Sequence, residues 1–196
     1  MESEMKKPEI DKGFFENLKP VVIPFEEGAL GELKAGDLIS LTGVLFTGRD
    51  QTHRRLVALL DEGKELPVDL KGQLLYYVGP SPAKPGQVIG AAGPTTSYRM
   101  DAYTPRLLEL GLKGTLGKGS RTMPVRQAMK KHGAVYLATV GGAGALLSKS
   151  IVKSDLVAFD DAGPEALFRF EVKNFPAVVI NDLEGNDYYE MVQQNS

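Results

Sequence analysis

The chain has 196 residues, 42% of them hydrophobic, which suits one domain spanning the chain with a core of ordinary size. Lys+Arg 23 against Asp+Glu 25 leave a net charge of −2 with no long block of either sign, which argues against nucleic acid or a membrane surface as partner. With no cysteine and only His53 and His132, the chain excludes disulfides, thiol nucleophiles, iron–sulfur ligation by its own residues and a histidine-rich metal site.

Residues 1–13 are polar without a clean period and are expected to form an N-terminal arm or a first strand on another surface. No apolar run there resembles a signal peptide, and no stretch approaches the roughly 20 apolar residues of a membrane span, so a cytoplasmic protein is expected. Val21-Val22-Ile23-Pro24 predicts an edge strand or its end. After a turn at Leu33 to Asp37, the run from Leu38 to Phe46 is apolar on both faces and predicts a buried strand. A helix follows Arg49, with Asp50 as N-cap, Leu56, Val57, Leu59 and Leu60 as its stripe and Gly63 as its stop.

Leu74 to Val78 predicts the next strand, ended by a stiff loop with Pro80, Pro82 and Pro85. Val88 to Ala92 predicts a further strand, leading into Gly93-Pro94-Thr95-Thr96-Ser97-Tyr98-Arg99 and a helix capped by Thr104. Lys113 to Gly117 predicts a short strand, Pro124 to His132 a helix stopped by Gly133, and Ala134 to Thr139 a strand. Gly141-Gly142-Ala143-Gly144 opens a short helix, where close packing is favoured over anion binding because the G-x-G-x-x-G fingerprint is absent. Ile151 to Phe159, Leu167 to Val172 and Ala177 to Ile180 predict three more strands. The whole pattern predicts an α/β fold with a mixed sheet and a second β layer.

Four residues stand out in loops that follow strands, where binding groups concentrate. Arg49 and Arg99 each sit beside small or hydroxyl residues, so their guanidinium forks could face the two ends of a dicarboxylate or form ordinary surface ion pairs. Lys118 lies between glycines that allow close approach to an anion, although the phosphate-loop spacing fails because Leu112 and Gly119 occupy its key positions. Thr95 could turn the backbone or, with cations nearby, act as a base. His53 could contact a ligand or fill the start of its helix, and His132 reads as a cation at a helix end.

Taken together, Thr47-Gly48-Arg49-Asp50-Gln51-Thr52-His53, Tyr77-Val78-Gly79-Pro80, Gly93 to Asp101, Gly117-Lys118-Gly119 and Tyr136 to Ala145 resemble the β subunit of two-subunit class I fumarases and L-tartrate dehydratases. The resemblance runs from about Leu33 to Tyr189 and implies a swivelling β/β/α domain. It also implies reversible dehydration of a small hydroxy-dicarboxylate, with a 4Fe-4S cluster held by a cysteine-bearing α subunit and not by this chain. A homodimer or a heterotetramer with that subunit is compatible with it. By motif, Thr95 matches the proposed catalytic base, Arg49 and Arg99 the carboxylate-binding arginines and Lys118 a substrate-contacting lysine. Tyr98 departs from the small residue expected before that arginine. A non-catalytic dicarboxylate-binding module that regulates a partner is the reading from another class.

Overall fold

A computed structural model of the chain describes residues 17–139 and 144–194; the expected arm at 1–13 and Gly141, Gly142 and Ala143 lie outside the described residues. Strands β1 (Lys19–Ile23), β2 (Leu38–Thr47), β3 (Leu74–Tyr76), β4 (Gly114–Gly117), β5 (Val135–Ala138), β6 (Ile151–Ala158) and β7 (Leu167–Asn181) form one mixed sheet in the order β1-β2-β3-β4-β5-β7-β6. The run from β1 to β5 is parallel throughout, whereas β7 pairs antiparallel with β5, β6 and β2. The β2–β7 pairing closes the sheet into a ring, which agrees with a β/β/α layering.

The middle strands are apolar without alternation because both faces are buried. Leu74, Tyr76, Val78, Val135 and Leu137 join one apolar cluster, while their neighbours Leu75, Tyr77, Tyr136 and Ala138 join the other. Period-two side-chain geometry thus feeds two cores from single strands. The second core is shared with helices α1 (Asp50–Asp61), α2 (Thr104–Glu109) and α3 (Met123–His132), through Leu56, Leu107, Leu108, Val125 and Met129. Helix α3 ends as expected at Gly133, in the left-handed conformation that lacks a Cβ penalty. Two further helices are short, α4 (Gly144–Leu147) and α5 (Tyr188–Gln194). Among the described residues no helix is long and apolar enough to cross a membrane.

Three expectations need correction. Leu167 to Val172 and Ala177 to Ile180 are parts of one 15-residue strand. The polar Lys173-Asn174 step between them is a bulge, with Asn174 at φ 51 and its N–H donating to Thr42 Oγ1 at 3.1 Å. Val88 to Ala92 forms no strand; its backbone folds back on Ser81, which accepts the Gly90 N–H through its carbonyl and the Ala91 N–H through its hydroxyl. Thr104 does not cap α2, since it is the first helical residue and its hydroxyl donates to the Met100 carbonyl at 2.9 Å.

The ribbon of β2 and β7 shifts register between Leu41 and Gly43, and on the other side Gly43 pairs with Ile23 of β1. Gly43 has φ +130, and a Cβ there would lie 1.9 Å from the Ile23 carbonyl oxygen. Gly43→Ala is therefore expected to lower the unfolding free energy by about 2–4 kcal/mol, since a left-handed non-glycine and a backbone clash coincide. Urea unfolding followed by circular dichroism measures it; an unchanged midpoint would show that β1 can move aside.

Candidate active site

The parallel strands β2, β3 and β4 deliver their carboxyl ends to one rim, and the four candidate residues leave from that rim. Arg49 follows β2 and Gly48 and occupies the N-cap position of α1 in extended conformation. Its guanidinium lies over Gly79, where a Cβ would stand 2.6 Å from Nη1, so a side chain at 79 would push the Arg49 fork aside. Arg49 Nη2 faces Glu165 Oε1 at 3.6 Å, and its buried Nε has no hydrogen-bond partner among the described residues.

The expected cap at Asp50 is not made. Asp50 is already inside α1, and its carboxylate takes the guanidinium of Arg99, Nε at 3.0 Å and Nη2 at 2.7 Å. The orphan N–H of Gln51 is instead satisfied by Glu165 Oε2 at 3.0 Å, and the Thr52 hydroxyl donates to the Glu165 carbonyl. An acidic side chain at the start of α1 is also favoured by the helix dipole. The Asp50–Arg99 pair joins the two loops that sequence reasoning singled out.

Pro94 to Ser97 runs between the ends of β3 and β4 as a short extension of the sheet. Thr95 N–H donates to the Tyr77 carbonyl at 2.6 Å, Lys118 N–H to the Thr95 carbonyl at 3.3 Å, and Ser97 N–H to the Lys118 carbonyl at 2.9 Å. Thr95 and Lys118 thereby become backbone neighbours although 23 positions separate them in sequence. The chain then turns through Ser97–Met100, which leaves Arg99 and Tyr98 exposed, Tyr98 at 63%. Gly117 beneath this crossing has no space for a side chain, since a Cβ would meet Ser97 Oγ at 2.1 Å.

Below these loops lies a buried polar group to which sequence reasoning attaches no role. The Arg121 side chain has 0% exposure, and its Nε donates to Asp101 Oδ1 at 2.7 Å. Nη1 donates to Tyr77 Oη at 3.1 Å and Thr115 Oγ1 at 3.0 Å, and Nη2 to Thr104 Oγ1 at 2.8 Å. The rings of Tyr77 and Tyr136 each lie 5.2 Å from the guanidinium carbon. Burial opposes the charge, but Tyr77 and Asp101 outweigh it and the pKa of Arg121 is raised. The available signal was Tyr77, Thr115 and Tyr136 inside buried strands, because such hydroxyls need a partner.

His53 fills the start of α1 beneath Arg49 at 0% exposure. Its Nδ1 lies 2.8 Å from the Arg49 carbonyl, which can only accept, so Nδ1 carries the proton. Nε2 is buried without a partner among the described residues, and the ring stands edge-on to Tyr77 at 5.2 Å. Burial, with the charge of Arg121 adding to it, lowers the His53 pKa to about 4. At Gly144, a Cβ would lie 3.0 Å from Gly93 N, so the described end of the glycine run is a packing contact against the Gly93 loop.

With this geometry in view, the chain can be set beside known proteins. The family described as fumarase C-terminus matches residues 4–192. The chain is 39% identical over 165 residues to the anaerobic class I fumarate hydratase of Escherichia coli, covering 83% of this chain and 30% of that protein. It is 38% identical over 162 residues to fumarate hydratase 2 of Leishmania major, covering 82% of this chain and 28% of that one. It is 37% identical over 169 residues to a putative L(+)-tartrate dehydratase subunit beta of Methanocaldococcus jannaschii, covering 83% of this chain and 87% of that subunit. The chain thus spans about 30% of the fumarate hydratases it matches, and nearly the full length of the subunit.

The buried histidine makes stability pH-dependent with a definite sign. Its folded pKa of about 4 lies below the unfolded value near 6.5, so between these values the unfolded chain binds the extra proton. The stabilisation is whole above about pH 6.5 and is lost as pH falls to about 4, by roughly 3 kcal/mol in all. Proton NMR of a His132→Gln variant should show the His53 Hε1 resonance unmoved until the pH approaches about 4. Titration near 6.5 would mean that the ring is solvated.

Proposed function

The chain belongs to the fumarase C-terminus family, and on that premise we propose that it is the β subunit of a hydro-lyase interconverting a hydroxy-dicarboxylate and its dehydrated product, malate and fumarate first. The observation that carries this reading is the register of Thr95 beside Lys118, with Arg99 tied to the residue next to Arg49. Two guanidinium forks, one ammonium and one hydroxyl then share a single rim, which is the set of groups a dicarboxylate and a departing carbon-bound proton require.

In this reading Arg49 and Arg99 bind the two carboxylates and disperse the charge that develops when the proton leaves carbon. Thr95 takes that proton. A threonine hydroxyl is a weak base in water, so cations such as Lys118 and Arg99 would have to stabilise its alkoxide. Arg99 and Arg49 lie against Asp50 and Glu165, which limits the directions in which their forks can point.

A 4Fe-4S cluster does not fit the residues of this chain, which has no cysteine and, among the described residues, no group of three or more His, Cys, Asp or Glu side chains that could hold a metal. We assign the cluster to a cysteine-bearing α subunit, where it would supply a Lewis acid for the hydroxide that leaves as the C–H electron pair forms the double bond; the steps given to this chain do not involve it. Tartrate is the second substrate reading, because the relative of matching length is named for that activity.

The test is anaerobic turnover of malate and of tartrate by this chain alone, by its partner alone and by the mixture. Activity is expected in the mixture only. Thr95→Ala is expected to reduce kcat there by about 10²- to 10⁴-fold with the complex still assembled. Near-normal turnover by that variant would remove Thr95 from the role of base.

A further inference from the structure

The candidate residues are exposed or half-buried and come from separate segments, so something beneath must hold their spacing. Arg121 reaches the segments that carry Arg99, Thr95 and Lys118, each through one intermediate residue. Through Asp101 it holds the turn that carries Arg99, two residues away. Its contact with Tyr77 reaches the residue whose carbonyl receives the Thr95 N–H. Thr115 puts it on β4, three residues before Lys118, and Asp101 Oδ2 also accepts the N–H of Thr122 at 2.8 Å. The ring of Tyr136 lies 5.2 Å from the Arg121 guanidinium carbon, and the Tyr136 hydroxyl donates to the Gly119 carbonyl at 2.7 Å and meets Ser97 Oγ at 2.9 Å.

We propose that Arg121 is a positioning residue for the hydro-lyase reaction: without touching substrate it sets the spacing of Thr95, Arg99 and Lys118. The inference rests on the function proposed above. Its physical basis is the planar fork of arginine, which presents donors in several directions at once with a fixed angle between them. A lysine would keep the charge and could meet one or two of these partners at most. Arg49 lies outside the network, so it would still anchor one carboxylate when Arg121 is changed. Loss of Arg121 should therefore appear in turnover more than in affinity.

The experiment compares Arg121→Lys and Tyr136→Phe with the unaltered chain, in the assembled complex and alone. In the complex kcat is expected to fall at least about tenfold, with KM moving less than about threefold, because a displaced base costs rate while anchoring persists. In the chain alone, the Ser97 and Lys118 amides should exchange at least about tenfold faster while amides of β5 and β7 keep their protection. Unchanged turnover per assembled complex, with only a lower melting temperature, would make Arg121 a merely structural residue and overturn the proposal. Unchanged exchange at Ser97 and Lys118 would overturn it as well. An unaltered complex inactive on every dicarboxylate would sink the proposed function instead, and the exchange result would still decide whether Arg121 sets these loops.

Discussion

The antiparallel ribbon of β2 and β7 is the constraint from which the rest of the structure follows. Along their shared edge, residues 38–46 of β2 pair with 169–178 of β7. On its other edge β2 pairs first with β1 and then, from Phe46, with β3. Likewise β7 pairs first with β6 and then, from Val178, with β5. Two long strands therefore make five pairings, and the change of partner is made near the bulge, where Gly43 and Asn174 take conformations closed to most residues. Because the ribbon also closes the ring, the ends of β2, β3 and β4 cannot drift apart. That is what brings Gly48, Val78 and Lys118 to one rim.

The long loop of the rim is anchored at both ends, with Ile89 and Ala92 in one core and Met100 in the other. Between those anchors Thr95 and Arg99 reach solvent, as does Lys118 beside them. Order comes from beneath, through a guanidinium placed in a site where an unmatched charge would be strongly unfavourable. Every Arg121 nitrogen has an acceptor, and these acceptors lie on segments as distant as Tyr77 and Thr115. A buried polar network that is fully satisfied specifies one arrangement, since any shift leaves a donor unpaired in low dielectric. An apolar residue of similar volume would fill the space without fixing the angle between the loops.

How much of this was legible in the sequence depended on whether the governing contact was local. Leu38 to Phe46 reads as a buried strand because its own composition says so, and Gly133 marks the end of α3 because helix termination is local chemistry. Arg49, Arg99, Thr95 and Lys118 were visible as loop residues, but their juxtaposition depends on parallel register across β2, β3 and β4, which no single segment encodes. Lys173-Asn174-Phe175-Pro176 looks like a break between strands, yet the partner strand supplies Thr42 to satisfy the bulge. Asp50 has the right type and position for a cap and was claimed instead by Arg99, 49 residues away. Arg121 carried no local mark at all, because its meaning lies in the tyrosines and threonines that surround it.

The charges at the rim also bear on how a dicarboxylate could enter. Arg99 is already paired with Asp50, and Arg49 stands near Glu165, so a substrate carboxylate would have to exchange with a protein carboxylate. The Asp50–Arg99 pair is partly exposed, side chains at 33% and 41%, and such pairs contribute only about 0–1 kcal/mol. At 3.6 Å the Arg49–Glu165 contact is longer still than a good hydrogen bond, and Glu165 keeps its bond to the Gln51 N–H if Arg49 turns away. Glu165 would keep a hydrogen bond through such an exchange, whereas Asp50, whose Oδ2 is buried, would lose the guanidinium that faces it unless Arg99 stayed within reach. The two pairs thus fix the directions of the forks, and under the proposed function a dicarboxylate would have to compete with Asp50 and Glu165 for them.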